Sequence, residues 1–363
     1  MRTSKCSVLL AVGISISACG TSQNDSKETD PEDTKTGDPS DTETASETEN
    51  EASTDSEEVE SDTSPLIELD TDYETDPSLV PLNGACPAEQ RIGGFSAVMD
   101  DRSDPGYSFV EGSVNDIPNP PEVPEVAYEA ADCRLLRARH LVCDPACEAS
   151  EVCSLDETCI SAPTQQDLGT VAIQGLVETV IMTPVHPGNS YFCTTLPHPG
   201  FETDRVIRLT STDGFMGEME LFGVGVARLE ALDDAVVFAE NTPLSLTWSA
   251  PETDARSMLH IEINIDVHGG SPVNLVCDFP DTGEATIPAE TVDAFIQAGV
   301  TGFPSGTVDR RIADSIETDD GCADFVVRSQ RVLTIEVKGY IPCVSDEDCT
   351  PPETCNEEIE QCG

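Results

Sequence analysis

Two of the five histidines in this 363-residue chain have a setting that could support chemistry. His186 and His198 each open a His-Pro-Gly tripeptide, and two such loops lying side by side could present two imidazoles as metal ligands. The alternative, which we favour, is that each tripeptide is a turn that uses the backbone geometry of proline and glycine. If the two imidazoles did bind a metal, the protein would be a metal-dependent hydrolase whose other ligands are scattered among the acidic residues, and this is the alternative function.

Other catalytic signals are missing from the sequence. It has no Gly-x-Ser-x-Gly elbow, His-Glu-x-x-His pair, P-loop or Gly-x-Gly-x-x-Gly turn. Acidic clusters at residues 100–104 and 319–321 offer the oxygen ligands that calcium prefers, but neither matches the twelve-residue EF-hand loop. We read both as solvated loops, with calcium as the alternative, and we expect no other cofactor and no enzymatic activity.

The charge of the chain narrows the choice of partners. With 70 acidic and 18 basic residues, the formal net charge is −52. Nucleic acid is excluded as a partner, because binding it requires basic patches that neutralise phosphate. The charge is compatible with metal ions, basic proteins and cation-bridged saccharides as partners.

Cysteines carry the clearest pattern. Neither of the two main groups contains the Cys-x-x-Cys steps of a zinc ribbon, so we expect disulfides. The candidates are Cys143, Cys147, Cys153, Cys159, Cys193, Cys277, Cys343, Cys349, Cys355 and Cys362. Cys193 and Cys277 could join two strands. Cys86 could pair with Cys133, or Cys322 with either of them, and the odd number leaves one cysteine unassigned.

The two groups of four cysteines look like copies of one module. Cys147 and Cys153 have the same separation as Cys349 and Cys355, and the second cysteine of each pair follows Glu-Val or Glu-Thr. Each group resembles half of a Dickkopf N-terminal or EGF-like cysteine-rich module, a type found in lipoproteins of large-genome soil bacteria. Spacing alone permits three pairings, whereas the resemblance implies alternation, first with third and second with fourth.

The amino terminus is typical of a signal peptide. Arg2 and Lys5 precede an apolar run over residues 6–18 that is too short to span a bilayer. The run ends in Ile-Ser-Ala-Cys at Cys19, which resembles the lipobox of bacterial lipoproteins, where the cysteine is acylated and becomes the first residue. A secretory signal with a chance cysteine is the alternative.

Lipidation of Cys19 implies a location. Two or more acyl chains anchor a protein durably, so no membrane-spanning helix is required. Gly20 stands where Asp favours inner-membrane retention in many such lipoproteins, so the outer membrane is favoured, with exposure at the cell surface left open. After removal of residues 1–18, we expect residues 19–80 to form a disordered acidic tether, because they contain too few apolar residues to fold.

The rest of the chain reads as short strands separated by turns. The predicted strands are residues 95–99, 107–115, 169–175, 179–182, 206–210, 219–228, 244–248, 258–267, 273–279, 306–316 and 324–337. Residues 259–267 alternate aliphatic and polar side chains, so one face should be core and the other solvated, with His260 and His268 on the solvated side. Residues 287–299 are the best helix, with proline near the start and glycine at the end.

Three aromatic residues differ in their expected exposure. Trp248 shares its strand face with Leu244 and Leu246, so we place it in the core rather than on a sugar-stacking platform. Tyr191 and Phe192 are better candidates for an exposed contact.

The expected fold is mainly β, with antiparallel β-sandwich domains and small disulfide-rich modules behind the tether. The predicted boundaries are 81–132 for an amino-terminal β portion, 133–162 and 341–363 for the cysteine-rich modules, and 163–340 for the sandwich. We predict a non-enzymatic binding or scaffolding lipoprotein whose partner is an extracellular or periplasmic protein or glycan. The alternatives are the metal-dependent envelope hydrolase and a structural or protease-inhibitor-like cystine module.

Overall fold

The computed structural model describes residues 3–5, 73–230, 235–252, 256–265, 273–298, 305–341, 343–356 and 361–363. Cys19, His268 and most of the predicted tether lie outside the described residues. Within the described segments, no helix has the length and apolar character needed to cross a membrane.

Strands make up most of the regular structure, which confirms the mainly β prediction. They are β1 (Thr3–Lys5), β2 (Arg91–Asp100), β3 (Tyr107–Val114), β4 (Glu125–Ala130), β5 (Cys133–Arg137), β6 (Glu151–Cys153), β7 (Cys159–Ser161), β8 (Val171–Gln174), β9 (Thr179–Met182), β10 (Tyr191–Cys193), β11 (Val206–Ser211), β12 (Met219–Val224), β13 (Ala235–Phe238), β14 (Leu244–Thr247), β15 (Met258–Ile265), β16 (Val273–Pro280), β17 (Glu284–Ile287), β18 (Ser305–Thr318), β19 (Gly321–Val337), β20 (Cys355–Asn356) and β21 (Gln361–Cys362). The helices are α1 (Ala289–Gln297) and two 3₁₀ turns, Pro120–Glu122 and Asp346–Asp348.

Two sheets dominate the fold. The large sheet has the order β10-β3-β2-β19-β18-β15-β16-β5-β4, and β13 pairs with the second half of β19. β2 and β13 run parallel to β19, and the other neighbours in the large sheet are antiparallel. The small sheet has the order β1-β9-β8-β11-β12. The predicted segments 81–132, 133–162 and 163–340 all contribute strands to the large sheet.

Two hydrophobic cores lie along one side of the large sheet. In the first core, Phe325 and Val327 of β19 pack with Ile207 and Leu209 of the small sheet, so two sheets face each other as predicted for a β-sandwich. The second core joins the other half of β19 to α1, and to the pair formed by β14 and β17. β18 and β19 have 14 and 17 residues, long enough to serve both cores.

The alternating pattern of residues 259–267 has the predicted consequence in β15. Leu259, Ile261 and Ile263 are buried in the second core, whereas His260 and Glu262 point to the opposite face. Helix α1 lies inside the predicted range and buries Phe295 against Phe238, with ring centroids 4.9 Å apart.

Both cysteine-rich modules adopt alternating disulfides. Each is a short hairpin, β6–β7 or β20–β21, in which the third and fourth cysteines of the module stand opposite each other. The bonds are Cys143–Cys153, Cys147–Cys159, Cys343–Cys355 and Cys349–Cys362. In the carboxyl-terminal module, the buried apolar cluster consists of cysteines alone, so cross-linking replaces a hydrophobic core.

The remaining disulfides follow the order of strands in the large sheet. Cys277 bonds to Cys133 and not to Cys193, which corrects that suggested pair, because β16 lies beside β5 with these two residues in register. Cys86 bonds to Cys322 and fastens the segment before β2 to the start of β19. Cys193 is disulfide-bonded as well.

Candidate functional site

The outer face of the large sheet, turned away from both cores, carries an open groove of 1210 Å³. Nine of the sheet's strands contribute residues to its lining. One wall comes from the segment between β3 and β4, which has to cross the sheet because these strands lie near opposite edges. Pro121, Glu122 and Pro124 of this segment line the groove, as do residues 85–89 on another side. The Cys86–Cys322 bond holds the latter segment in place.

The two-residue period of the strands determines which side chains reach this face. On β15 and β16 most aliphatic residues enter the second core, whereas His260 and Glu262 of β15 and Asn274, Val276 and Asp278 of β16 line the groove. His260 stands directly opposite Asp278 in the ladder. The floor therefore carries charged side chains, interspersed with apolar ones such as Val276 and Val326, although the same strands form an apolar core beneath it.

Basic residues are concentrated in the groove. Five of the chain's 18 lysines and arginines line it, namely Arg91, Arg134, Arg137, Arg311 and Arg328. Six acids line it as well: Glu89, Glu111, Glu122, Glu262, Asp278 and Asp324. In a chain of net charge −52, this nearly balanced face differs sharply from the rest of the molecule.

Asp278 connects three donors at the centre of the floor. Its carboxylate accepts hydrogen bonds from His260 Nδ1 at 2.9 Å, from Arg311 Nη2 at 2.6 Å and from Arg134 Nη2 at 3.3 Å. Burial raises the pKa of Asp278, but the bond from His260 and the charge of Arg311 outweigh it and lower the pKa to about 2. Asp278 is therefore ionised under all physiological conditions.

Asp309, opposite His260 on the other side, has a different environment. It is 2% exposed, and its Oδ2 accepts only a 3.4 Å bond from Arg328 Nη1, while Oδ1 has no hydrogen-bond partner among the described residues. Burial raises the pKa of Asp309 despite the nearby charge of Arg328. The contact with Arg328 therefore offsets only part of the cost of burying this carboxylate.

The arginines of β18 and β19 stand face to face. Arg311 is directly opposite Arg328 in the antiparallel ladder, on the same side of the sheet. Like charges in this position destabilise a sheet. Burial also lowers the pKa of Arg311, and the charge of Arg91 adds to that effect. Arg91 itself forms an ion pair with Asp324 at the edge of the cluster.

The alternative in which His186 and His198 form a metal site finds no support among the described residues. His198 is hydrogen-bonded through Nδ1 to Ser108 Oγ (2.8 Å) and through Nε2 to Asp101 Oδ1 (3.1 Å). The described groups of three or more candidate ligand atoms within 4.8 Å of one another contain only cystine sulfurs. His186 and His198 therefore belong to no such group.

The Ser108–His198–Asp101 arrangement has the residue types of a hydrolytic triad but not its accessibility. Ser108 is 1% exposed and faces inward on β3, so its hydroxyl has no open route to a substrate. Asp101 also forms an ion pair with Arg228. We interpret the three side chains as a structural link between the loop before Gly200 and β3.

The acidic cluster at residues 100–104 is also committed to protein contacts. The carboxylate of Asp100 accepts two bonds from Arg102 Nε, at 2.9 and 3.0 Å, and Asp101 is bonded to His198 and Arg228. These contacts use carboxylate oxygens that a calcium ion would require.

The sequence predicted the exposure of two residues that line the groove but did not predict which strands bring its arginines together. It predicted that His260 lies on a solvated face, and His260 does line the groove. Phe192 is 45% exposed and lines it too, as expected for an exposed contact, whereas Tyr191 is fully buried, which corrects that half of the prediction. Trp248 is 6% exposed in the second core, as predicted. The arginine cluster had no signal, because its members come from β2, β5, β18 and β19.

No family model and no curated protein matches the chain. Among solved structures, it is similar to a crystal structure of the FN1–FN3 domains of chicken CNTN1, with 10% sequence identity over 63% of this chain and 72% of that chain, at a TM-score of 0.16. A TM-score of this size supports no conclusion about fold or function.

Proposed function

We propose that this protein is a lipid-anchored binding protein of the bacterial cell envelope and that the groove is its binding surface. The observation that carries the binding role is the groove floor, where buried and half-buried charged side chains retain unused hydrogen-bonding capacity. Ligand sites combine a concave shape with a few convergent polar groups, and this face has both.

The envelope location is supported by two features. The lipobox-like sequence ending at Cys19 resembles that of acylated exported proteins. The disulfides of the folded part suit an oxidising compartment outside the cytoplasm. Anchoring by lipid would leave the folded part, including the groove, free to meet partners in the periplasm or at the cell surface.

A binding role is favoured over hydrolysis by the state of the best catalytic candidates. The hydroxyl of Ser108 is buried, and both ring nitrogens of His198 are already bonded to protein groups. The metal-dependent hydrolase would require His198 to release Ser108 or Asp101 before it could bind an ion.

Arginine labelling with phenylglyoxal, read by mass spectrometry, tests whether the groove is the binding surface. The purified protein is labelled alone and with a detergent-solubilised envelope fraction from cells that lack it. We expect labelling of Arg134 and Arg328 to slow at least threefold with the fraction, while Arg205, an exposed residue outside the groove, keeps its rate. Equal changes at all three, or none, would refute the groove as the binding surface.

The anchoring part is tested separately. Intact mass of the wild-type protein should exceed that of the signal-cleaved chain by the acyl groups, and Cys19→Ala should abolish this excess and release the protein from membranes. A wild-type protein without acyl mass would overturn the anchoring proposal and leave the groove proposal intact.

A further inference from the structure

Three arginines of the groove floor use few of their hydrogen-bond donors. A guanidinium group has five N–H donors in a planar fork that matches a carboxylate. Within the described residues, Arg311 and Arg134 each donate one bond to Asp278, and Arg328 donates one to Asp309. The Nε of Arg328 is buried without a partner. The side chains of Arg311 and Arg328 are 25% and 26% exposed and line the groove, so an acceptor that enters it can reach them, although it cannot reach the buried Nε of Arg328.

The placement of Arg311 opposite Arg328 does not stabilise the sheet. Their register brings two like charges together, which costs stability. Asp278 already accepts bonds from two arginines and His260, and Arg328 has only long contacts with carboxylates, 3.4 Å to Asp309 and 3.9 Å to Glu111. Neither arginine therefore has a two-pronged carboxylate partner of its own among the described residues. A local feature that conflicts with stability is expected at functional sites.

The acids of the groove restrict the anion that can occupy it. Glu111, Glu262 and Asp324 stand among the arginines, so a ligand with densely spaced negative charge would be repelled along most of its length. A ligand with isolated carboxylates separated by hydroxyl groups fits the alternation: its carboxylates meet guanidinium groups, and its hydroxyls donate to the acids.

The position of the groove on the sheet disfavours an extended peptide. The strands of the central floor, from β2 to β16, are paired on both sides, so their backbone groups are engaged in the ladders. An entering peptide would find no strand edge. Apolar surface is available at the rim, where Phe192 and Val126 are 45% and 49% exposed. Such side chains can cover the apolar face of a sugar ring.

We infer that the groove binds an acidic saccharide, with a ring carboxylate held between Arg311 and Arg328 and neighbouring hydroxyls bonded to carboxylates of the floor. The inference rests on the groove being the binding surface proposed above. It adds the ligand class and the two residues that select it.

A pair of matched oligosaccharides provides the test. One is a hexamer of galacturonic acid, and the other is the same hexamer with each carboxyl group reduced to a hydroxymethyl group. Isothermal titration calorimetry is performed with the full mature chain in 0.15 M salt and chelator, so that long-range charge effects are screened and cation bridging is removed. We expect the acidic hexamer to bind at least tenfold more tightly than the reduced one.

The variants connect binding to the two arginines. Arg311→Gln and Arg328→Gln should each weaken binding of the acidic hexamer about tenfold and leave the reduced hexamer unchanged, as expected for loss of a charge-assisted bidentate contact. Arg328→Lys keeps the charge and should lose most of the affinity, because an ammonium group cannot form the fork. Arg205→Gln is the matched control, since it removes one exposed, ion-paired arginine outside the groove. Melting temperatures verify that each variant is folded.

Three outcomes would overturn the inference: equal binding of both hexamers, binding that none of the groove variants changes, and binding of neither hexamer. In the third case, slowed labelling of Arg134 and Arg328 by the envelope fraction would still support the groove as a binding surface. The ligand class would then be wrong while the proposed function stands.

Discussion

Arg310 and Arg311 are neighbours in the chain and lie on opposite faces of the same strand. Arg310 is 1% exposed and donates five hydrogen bonds, two to the carboxylate of Asp281 and three to backbone carbonyls. Arg311 donates one described hydrogen bond, to Asp278, and faces another arginine. Arg310 therefore uses all five N–H donors of its guanidinium group in described hydrogen bonds, whereas Arg311 uses one.

The comparison separates a structural cluster from a ligand-binding one. Asp281 also accepts bonds from Trp248 Nε1 at 2.6 Å and Ser257 Oγ at 2.9 Å, so every member of the inner cluster supports another. On the outer face, Asp309 and Arg328 keep unpartnered buried atoms. Complete satisfaction indicates a role in stability, and incomplete satisfaction indicates capacity reserved for a ligand.

The largest effect should come from Arg310→Met. It leaves the carboxylate of Asp281 buried without its counter-charge, and breaking a buried pair typically costs about 3–5 kcal/mol. Arg311→Met, the outer-face counterpart, should cost about 1 kcal/mol, because Asp278 keeps His260 and Arg134. Urea denaturation measures both, and equal losses would remove the distinction between the faces.

Trp248→Phe should have the second largest effect. The substitution keeps an aromatic ring in the core but removes the indole N–H bonded to Asp281, and a hydrogen bond to a charged group contributes about 1.5–3 kcal/mol. His260→Gln removes the ring nitrogen that is bonded to Asp278 on the outer face, and we expect less than about 1 kcal/mol there. Thermal unfolding of the two variants gives the comparison, and a larger loss for His260→Gln would contradict it.

The pH dependence of Asp278 gives a smaller effect of defined sign. Its folded-state pKa of about 2 lies below the ordinary 3.8, so ionised Asp278 stabilises the fold above pH 3.8, and that contribution disappears as pH falls through 2. Because the side chain is 31% exposed, we expect only about 1 kcal/mol. The difference in unfolding free energy between wild type and Asp278→Asn should shrink progressively as the pH falls from 5 to 2. A difference independent of pH would show that Asp278 is not stabilised by its three donors.

Asp309→Asn should have the smallest effect and the opposite sign. A raised pKa means that the folded state holds the proton more tightly, so the wild type loses stability as pH rises above 3.8. The uncharged amide avoids this loss, so we expect the variant to be slightly more stable than wild type at pH 7, with the advantage lost below pH 4. If Asp309→Asn clearly destabilised the protein at pH 7, Asp309 would stabilise the fold as Asp281 does on the inner face.

Local patterns predicted the parts of this fold that depend on local physics. Alternation along β15 gave its buried and solvated faces, because the side-chain period of a strand is two. Trp248 shares a strand face with Leu244 and Leu246, which predicted its place in the core, and cysteine spacing without Cys-x-x-Cys steps predicted the disulfides of the carboxyl-terminal module.

Such local patterns did not predict the order of the strands in the sheets. Cys277 meets Cys133 because β16 pairs with β5, and Arg311 meets Arg328 only in one register of β18 and β19. The parallel pairing of β2 with β19 joins residues more than 200 positions apart, which no local signal encodes. The groove arises from these long-range pairings, so its histidine could be placed on a solvated face while its arginines could not be grouped.

The length of the β18–β19 hairpin has a consequence for unfolding. Since one pair of strands contributes side chains to both cores, neither core can come apart without removing part of the other's packing. Native-state hydrogen exchange should therefore show a single cooperative unit across both cores, with the protection of β18 and β19 equal to the global free energy. A ligand bound to arginines of this hairpin would raise that shared protection in both cores at once.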